Sequence, residues 1–483
     1  MIIRHKVGVR GLKKILILLL FLLPASFVWL SCGGNSKSGS GVSGIAFRAF
    51  LSNSVSAGTS LAGIYIVNTQ DDVRGPATPI SAGNTPGMMV VTPNRTQTLV
   101  FSGNGTQNSD NQFTIIANAT EKAAFHFTLP GMTESFVVSP DSSTAYVAVP
   151  TAVVNGQSPG LVGVVSLVTG AFAGQAPVPS VHYLAINNAG SLLLGFMDNS
   201  DSVAVITPSQ IGIGNPVTYI GGQGIFDRPI AAFFSSDDST AYVVSCGAEC
   251  GGMQAGVQQY NLVTNQLVAS VPACIPNPGS NPITCQGPAA GSVALLNGST
   301  MYLAGTPYSP GGGESLLCPP GTTQAEYCGQ LTIVNLTTMS VTNTSEIIIT
   351  DGYHNRIALA ANGQLFIGAH TCTEIVPPIP PPPGAETRGC LSIYNTLANA
   401  VGNAPAGGVV IPPMNGDVTG IQPVVTQRAP NSPQEVVYLV QGGSLNIYDV
   451  TTDALEYNPN NPEQPGEVRG LVGYFIDVKT VDY

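Results

Sequence analysis

The nine-residue phrase Ser139-Pro140-Asp141-Ser142-Ser143-Thr144-Ala145-Tyr146-Val147 returns 96 residues later as Ser235-Ser236-Asp237-Asp238-Ser239-Thr240-Ala241-Tyr242-Val243. Weaker copies align on Thr92, Asn187, Leu295 and Ala360, so successive spacings are 47, 48, 48, 60 and 65 residues. A repeat of this length makes each unit one supersecondary element, and the fold follows from how the units stack. Each unit opens on a short apolar run such as Phe136-Val137-Val138. It passes through an Asp/Asn/Ser/Gly turn into a β-branched and aromatic run such as Ala145-Tyr146-Val147-Ala148-Val149, and a third run such as Ser202-Val203-Ala204-Val205-Ile206 follows. Runs of this length bounded by turn residues read as strands, and no amphipathic helix-length pattern follows the N-terminal leader.

Three or four short antiparallel strands per unit predict an all-β chain folded as a β-propeller. With strands lettered A to D from the channel outward, B–C pairs are expected at 46–52 with 62–68, 97–102 with 113–117, 144–149 with 161–167, 192–196 with 202–206, 240–245 with 256–262, 300–305 with 330–336, 364–369 with 391–395, and 436–440 with 444–449. That is about eight blades. The first pair has no A strand before it, and the run Gly470-Leu471-Val472-Gly473-Tyr474-Phe475-Ile476 is expected to supply one, closing the ring between the two ends of the chain. Closure removes the free sheet edges that invite aggregation.

The Ser-Pro-Asp turn leading to Ala-Tyr-Val, followed by a Val-x-Val strand, resembles the YVTN, or YncE-like, propeller repeat over residues 44–483. The resemblance implies a propeller, usually of seven blades where the count here is eight. It implies little about activity, although some members of the family carry lactonase names.

Arg4, Lys6, Arg10, Lys13 and Lys14 precede the apolar stretch ILILLLFLLPASFVWL at 15–30, with no acidic residue among them. Sixteen apolar residues fall short of the roughly 20 that span a bilayer, so 1–31 reads as a secretion signal. It ends at Leu30-Ser31-Cys32-Gly33, which resembles the bacterial lipoprotein box and marks Cys32 for lipidation. Trp29 stands where an aliphatic residue is usual, which leaves ordinary cleavage nearby as the alternative. The Gly/Ser-rich segment 32–44 reads as a flexible tether to a single propeller domain at 45–483. The expectation is an exported protein, lipid-anchored in a bacterial cell envelope.

Eight cysteines remain beyond Cys32: Cys246, Cys250, Cys274, Cys285, Cys318, Cys328, Cys372 and Cys390. An even count in an exported chain predicts disulfides, and pairing between sequence neighbours is the expected arrangement among the 105 possible ones. A four-cysteine zinc site is the alternative. No pair has the C-x2-C spacing that metal sites favour, so neither metal nor cofactor is expected. A redox pair at Cys246 and Cys250 is a further reading. All eight cysteines fall in B–C or D–A loops, which share one face of a propeller, and the units longer than 48 residues are those that carry them. Long ordered loops on a rigid scaffold are where binding commonly resides.

Removing the leader leaves eleven basic against 27 acidic residues, a balance of −16. Nucleic acid is therefore not expected as a partner, because its recognition needs clustered Lys and Arg. With only 9% charged residues, the polar surface is mostly Ser, Thr, Asn and Gln. Such a surface suits hydrogen-bonding partners, a glycan or another envelope protein, on the stapled-loop face. Trp29 is the only tryptophan, which excludes tryptophan-docked quinoprotein and Trp-Asp blades, and no G-x-S-x-G elbow or Walker loop occurs.

At the channel mouth on that face the repeats offer Glu134, His182, Arg228, His354, Arg356 and Asp417. Glu134, His182, Arg228 and His354 are the candidates for a lactonase-like hydrolase, with histidine as general base and arginine holding an anion. Asp141 and Asp237 are assigned to turns, where Asp bonds its own backbone. A non-catalytic binding or scaffolding propeller is the leading expectation, with the hydrolase as the alternative.

Overall fold

The computed structural model describes residues 42–482 apart from 56–60, 104–109, 155, 282, 284, 287–288, 308–328, 371–388, 398–407, 413–415, 426–434, 459–460 and 466–470. The strands form eight antiparallel blades of four strands, one carrying an extra strand, arranged as a β-propeller. Blade 2 spans 86–128, blade 3 135–177, blade 4 181–221, blade 5 229–272, blade 6 293–349, blade 7 353–410 and blade 8 418–455. All eight expected B–C pairs are present with ends within two residues of the expected ones. Helix among the described residues is limited to two short 3-10 turns, Pro208–Gln210 and Gly247–Cys250.

Blade 1 combines strands from both ends of the chain. Its B and C strands are Arg48–Asn53 and Gly63–Asn68, and its A strand is the C-terminal Phe475–Thr480, antiparallel to Arg48–Asn53. The closing strand therefore lies later than the apolar run at 470–476 suggested. Gly473 and Tyr474 precede it in an irregular segment, where Asn53 Oδ1 accepts the Tyr474 N–H at 2.8 Å. Asp477 and Lys479 interrupt the apolar pattern of the real strand. Buried Asp477 accepts the Met89 N–H at 2.9 Å and the Lys479 ammonium at 2.6 Å, so its polarity is met inside the barrel.

The apolar core lies between blades rather than within them. Leu99, Phe101 and Phe113 of blade 2 pack on Phe136, Val138 and Val147 of blade 3, with Phe113 and Phe136 ring centroids 5.2 Å apart, edge to face. Tyr438, Val440 and Leu445 of blade 8 pack on Ala49, Leu51 and Phe475 of blade 1. Each sheet has apolar residues on both faces, so it needs a neighbour on either side, and a closed ring is the arrangement that satisfies every blade.

The conserved-looking grammar of the repeated phrase has a mechanical role. Asp141 Oδ1 accepts the Ser143 N–H at 3.0 Å while Ser139 Oγ accepts the Thr144 N–H at 3.0 Å. Asp237 and Ser235 repeat both bonds with Ser239 and Thr240. The residue after the Asp takes positive φ in each copy, 61° at Ser142 and 59° at Asp238. From there its side chain reaches the turn of the preceding blade: Ser142 Oγ accepts the Asn94 N–H at 3.0 Å, and Asp238 accepts those of Asn188 and Ala189 at 3.0 and 2.9 Å. The phrase therefore ties neighbouring blades as well as turning the chain. Asp238→Ala should cost about 0.5–1.5 kcal/mol through the lost hydrogen bonds, read as a lower denaturant midpoint; an unchanged midpoint would show that the ties contribute nothing.

Candidate functional site

Six of the eight A strands, those of blades 1, 2, 4, 5, 7 and 8, share an irregularity near their first residues. Register shifts fall between Val181 and Tyr183 in blade 4, Pro229 and Ala231 in blade 5, His354 and Arg356 in blade 7, and Val418 and Gly420 in blade 8. Blades 1 and 2 have equivalent shifts. A bulge leaves one residue out of the ladder and re-aims its neighbours. The skipped residues His182, Ile230, Asn355 and Thr419 thus all stand at the end of the channel from which the B–C and D–A loops project.

His182 is the centre of the strongest cluster there. Its Nε2 lies 2.7 Å from Glu134 Oε2 and its Nδ1 3.0 Å from Asp198. Glu134 comes from the loop before blade 3, and Asp198 follows the B strand of blade 4, whose residue Met197 pairs with Val181. The Glu134 carboxylate, followed by Asp198, raises the His182 pKa to about 9 against the opposing effect of burial. In turn the His182 hydrogen bond holds the Glu134 carboxyl below its ordinary value. At neutral pH the ring is an imidazolium donating from both nitrogens, and it has no lone pair with which to abstract a proton.

Tyr183 lies beside it, ring centroids 4.7 Å apart and planes tilted by 40°. Burial, then the charges of Glu134 and Asp198, pushes its phenol up to about 12, so it remains a hydrogen-bond donor. The cluster also feels the opposite wall of the channel. Arg356 and His370 of blade 7 act electrostatically on Glu134, and Arg356 acts on Tyr183. Arg356 spends Nε on the Thr419 carbonyl at 2.7 Å and Nη1 on that of Asn355 at 2.9 Å, joining blades 7 and 8. His370 lies 3.9 Å from Asp417, and burial followed by the nearby Arg356 holds its pKa below the ordinary value.

The four candidate hydrolase residues are thus not brought together as a set. Glu134 and His182 are in contact, and Asp198, which the sequence did not single out, meets the other ring nitrogen because the hairpin register of blade 4 places it beside His182. Arg228 is committed elsewhere: its guanidinium lies 3.5 Å from Asp201. His354 is 2% exposed, with Nε2 2.8 Å from the Thr350 carbonyl. Burial lowers its pKa to about 4, so it is a neutral donor to that carbonyl rather than part of the mouth. Among the described residues no group of three or more His, Cys, Asp or Glu side chains is placed to hold a metal ion.

Two of the expected disulfides are formed on the same face, Cys246–Cys250 in the B–C loop of blade 5 and Cys274–Cys285 in the loop entering blade 6. Cys390 is also disulfide-bonded. Cys318, Cys328 and Cys372, together with the Pro-rich run 377–383 and Cys32, lie outside the described residues. With Cys246 and Cys250 bonded, they hold no free thiol pair. Between them sits Glu249, a residue the sequence did not single out. Its buried carboxylate accepts the Thr306 N–H of blade 6 at 2.9 Å, and the Ser292 side chain also acts on it as a donor. Burial raises its pKa to about 7.

No family model matches the chain. No curated protein matches it either. Solved structures share the architecture. Dihydro-heme d1 dehydrogenase NirN in complex with DHE aligns over 90% of this chain and 75% of its own, with a TM-score of 0.51 and 12% identity. The Myceliophteria thermophila Cps50 (Swd1) β-propeller domain aligns over 77% of this chain and 99% of its own, with a TM-score of 0.46 and 9% identity. A eukaryotic initiation factor aligns over 90% and 98%, with a TM-score of 0.47 and 11% identity. At 12% identity the likeness to the first of these is one of fold, and one fold hosts unrelated activities.

Proposed function

We propose that this chain is a non-catalytic binding or scaffolding propeller of the YVTN, or YncE-like, kind, exported through the signal at 1–31 and anchored in a bacterial envelope by a lipid on Cys32. The tether at 32–44 lets the propeller domain, 45–483, present its stapled-loop face away from the membrane. The partner is an envelope component, glycan or protein. Nucleic acid is a poor fit to the acidic balance. The observation that supports the reading most is the geometry of His182, whose two ring nitrogens are both taken up by carboxylates, Glu134 at 2.7 Å and Asp198 at 3.0 Å, which favours the charged ring and suits a fixed recognition element better than a base.

A photo-crosslinking side chain at Met253, 82% exposed beside the Cys246–Cys250 loop, should capture a discrete partner in cells. The same group at Val168, 73% exposed in the opposite C–D turn, should not. Purified protein should leave a panel of lactones unhydrolysed at pH 7. Turnover that disappears in His182→Gln would replace this reading with the hydrolase, and equal capture from both faces would remove the stapled-loop face from it.

A further inference from the structure

The outer edge of a sheet is a template for pairing with another chain unless it is shortened or distorted. Most of the outer D strands here are blunted in one of those ways. Those of blades 1, 7 and 8, Val73–Arg74, Val409–Val410 and Ala454–Leu455, are two residues long, and that of blade 6 is broken into Ser340–Val341 and Ile347–Ile349. The longer D strands of blades 2, 3 and 5 each carry a bulge at their third residue, which leaves Ala124, Ala173 and Val268 out of the ladder. A bulge twists an edge away from a flat partner. The D strand of blade 4, Val217–Gly221, has neither protection, and it pairs with Ser202–Ile206 in unbroken register.

Hydrogen bonding along this strand alternates. The Pro216 carbonyl accepts the Thr207 N–H at 2.8 Å, and Gly222 N–H donates to the Asp201 carbonyl at 2.9 Å, so the even-numbered residues bond inward. Val217, Tyr219 and Gly221 therefore turn their N–H and C=O groups outward, and no hydrogen bond among the described residues takes these groups up. Tyr219 is 52% exposed. Backbone donors and acceptors alternating along an open edge are matched by another strand.

A second copy of the same strand matches them in one register. With a two-fold axis through Tyr219, the two Tyr219 residues exchange a pair of N–H···O=C bonds, and on either side a Gly221 N–H meets a Val217 carbonyl. Charge favours this occupant as well. At a formal balance of −16 after removal of the leader, copies of the chain repel one another over most of their surface, whereas residues 207–226 contain no Asp, Glu, Lys or Arg. The lysine or proline that guards an exposed edge is absent from Val217–Gly221. Successive strands of a blade rotate by about 20–25°, which sets the outer strand about 60–75° from the one that lines the channel. The two-fold axis, normal to the joined sheet, thus runs closer to the channel axis than across it, and both copies turn their B–C loops to the same side.

We infer that two copies of this chain associate through the outer strand of blade 4, antiparallel and in register about Tyr219, to form one sheet continuous across both propellers. This goes beyond the binding reading above and stands or falls separately from it.

The test is sedimentation velocity of the full mature protein, carrying Cys32→Ser so that it is free of lipid, from micromolar to several hundred micromolar. A reversible monomer–dimer equilibrium is expected. Tyr219→Pro, which removes the central outward N–H and spares the inner ladder, should weaken it at least tenfold. Tyr219→Lys, which sets like charges across the two-fold, should do the same. Tyr219→Thr keeps the backbone and adds no charge, so it should lose no more than about fivefold. Unfolding midpoints identify any variant that fails to fold, and the lysine variant decides the matter if the proline one does. Tyr219→Cys should form an intermolecular disulfide under mild oxidation, because the Cα atoms of such a pair lie about 5.5 Å apart. Ala173→Cys, on the bulged strand of blade 3, should not. A protein that stays monomeric throughout the range overturns the inference. So does a dimer indifferent to both the proline and the lysine, or one trapped by Ala173→Cys as readily as by Tyr219→Cys.

Discussion

Arg48→Ala should lower the stability of the propeller by about 3–5 kcal/mol, the cost of leaving buried carboxylates without their counter-charge. Arg48 is 2% exposed. Its Nε and Nη2 grip the two oxygens of Asp482 at 2.6 and 2.9 Å, and Nη1 reaches Glu121 at 2.8 Å and the Asn118 carbonyl at 2.6 Å. One side chain thus joins the first B strand, the end of the chain and the C–D turn of blade 2. Arg95 adds a second tie, donating to the Thr480 carbonyl at 2.8 Å. Since Phe475–Thr480 is the inner strand of blade 1, loss of Arg48 weakens the one seam where the ring is closed by strands far apart in sequence. Denaturant unfolding measures the loss. Arg48→Met, which keeps the packing of the stem but not the charge, should recover little of it. A variant with wild-type midpoint would show that the closing strand is held by its ladder and apolar contacts alone.

Glu249→Gln should make the protein more stable than the wild type at pH 8, by about 3 kcal/mol, and equal to it below about pH 4.5. The folded-state pKa of Glu249 is about 7, against an ordinary value of 4.5, so the folded protein holds this proton more tightly than the unfolded chain does. The group's effect on stability is therefore most favourable at acid pH and is lost as pH rises through 7. Glutamine keeps an acceptor for the Thr306 N–H and removes the buried charge. His354 works in the opposite direction: neutral when folded, with a pKa of about 4, it loses stability as pH falls from 6.5 through 4. Wild-type stability alone would blend the two, so the quantity to measure is the difference between wild type and variant across pH 4 to 8.5. A difference independent of pH would mean that the Glu249 carboxyl titrates normally.

Much of the architecture was legible before any coordinates. Strand positions followed from β-branched runs and turn residues because both are local properties, and the repeat supplied the stacking rule. The Cys246–Cys250 and Cys274–Cys285 bonds were legible for the same reason, since partners close in sequence stay close in the fold. The closing strand was displaced to Phe475–Thr480 because Asp477 and Lys479 hide it; they pair with each other along the strand, but the Met89 N–H that meets Asp477 arrives only in the assembled ring. Arg48 gave no signal at all, as its partners lie 434 and 73 residues away.

The candidate site divides along the same line. Sequence placed Glu134, His182, Arg228 and His354 near one end of a channel, because repeat phase determines the level at which a residue sits. Which of them meet was decided by tertiary structure, since side-chain direction at that level depends on bulges and on distances between blades. The fold therefore joined both Glu134 and the unheralded Asp198 to His182, turned His354 into the interior and gave Arg228 to Asp201. A repeating sequence determines the wheel through short-range periodicity; the contacts across its channel and its seam depend on long-range closure, which no local pattern encodes.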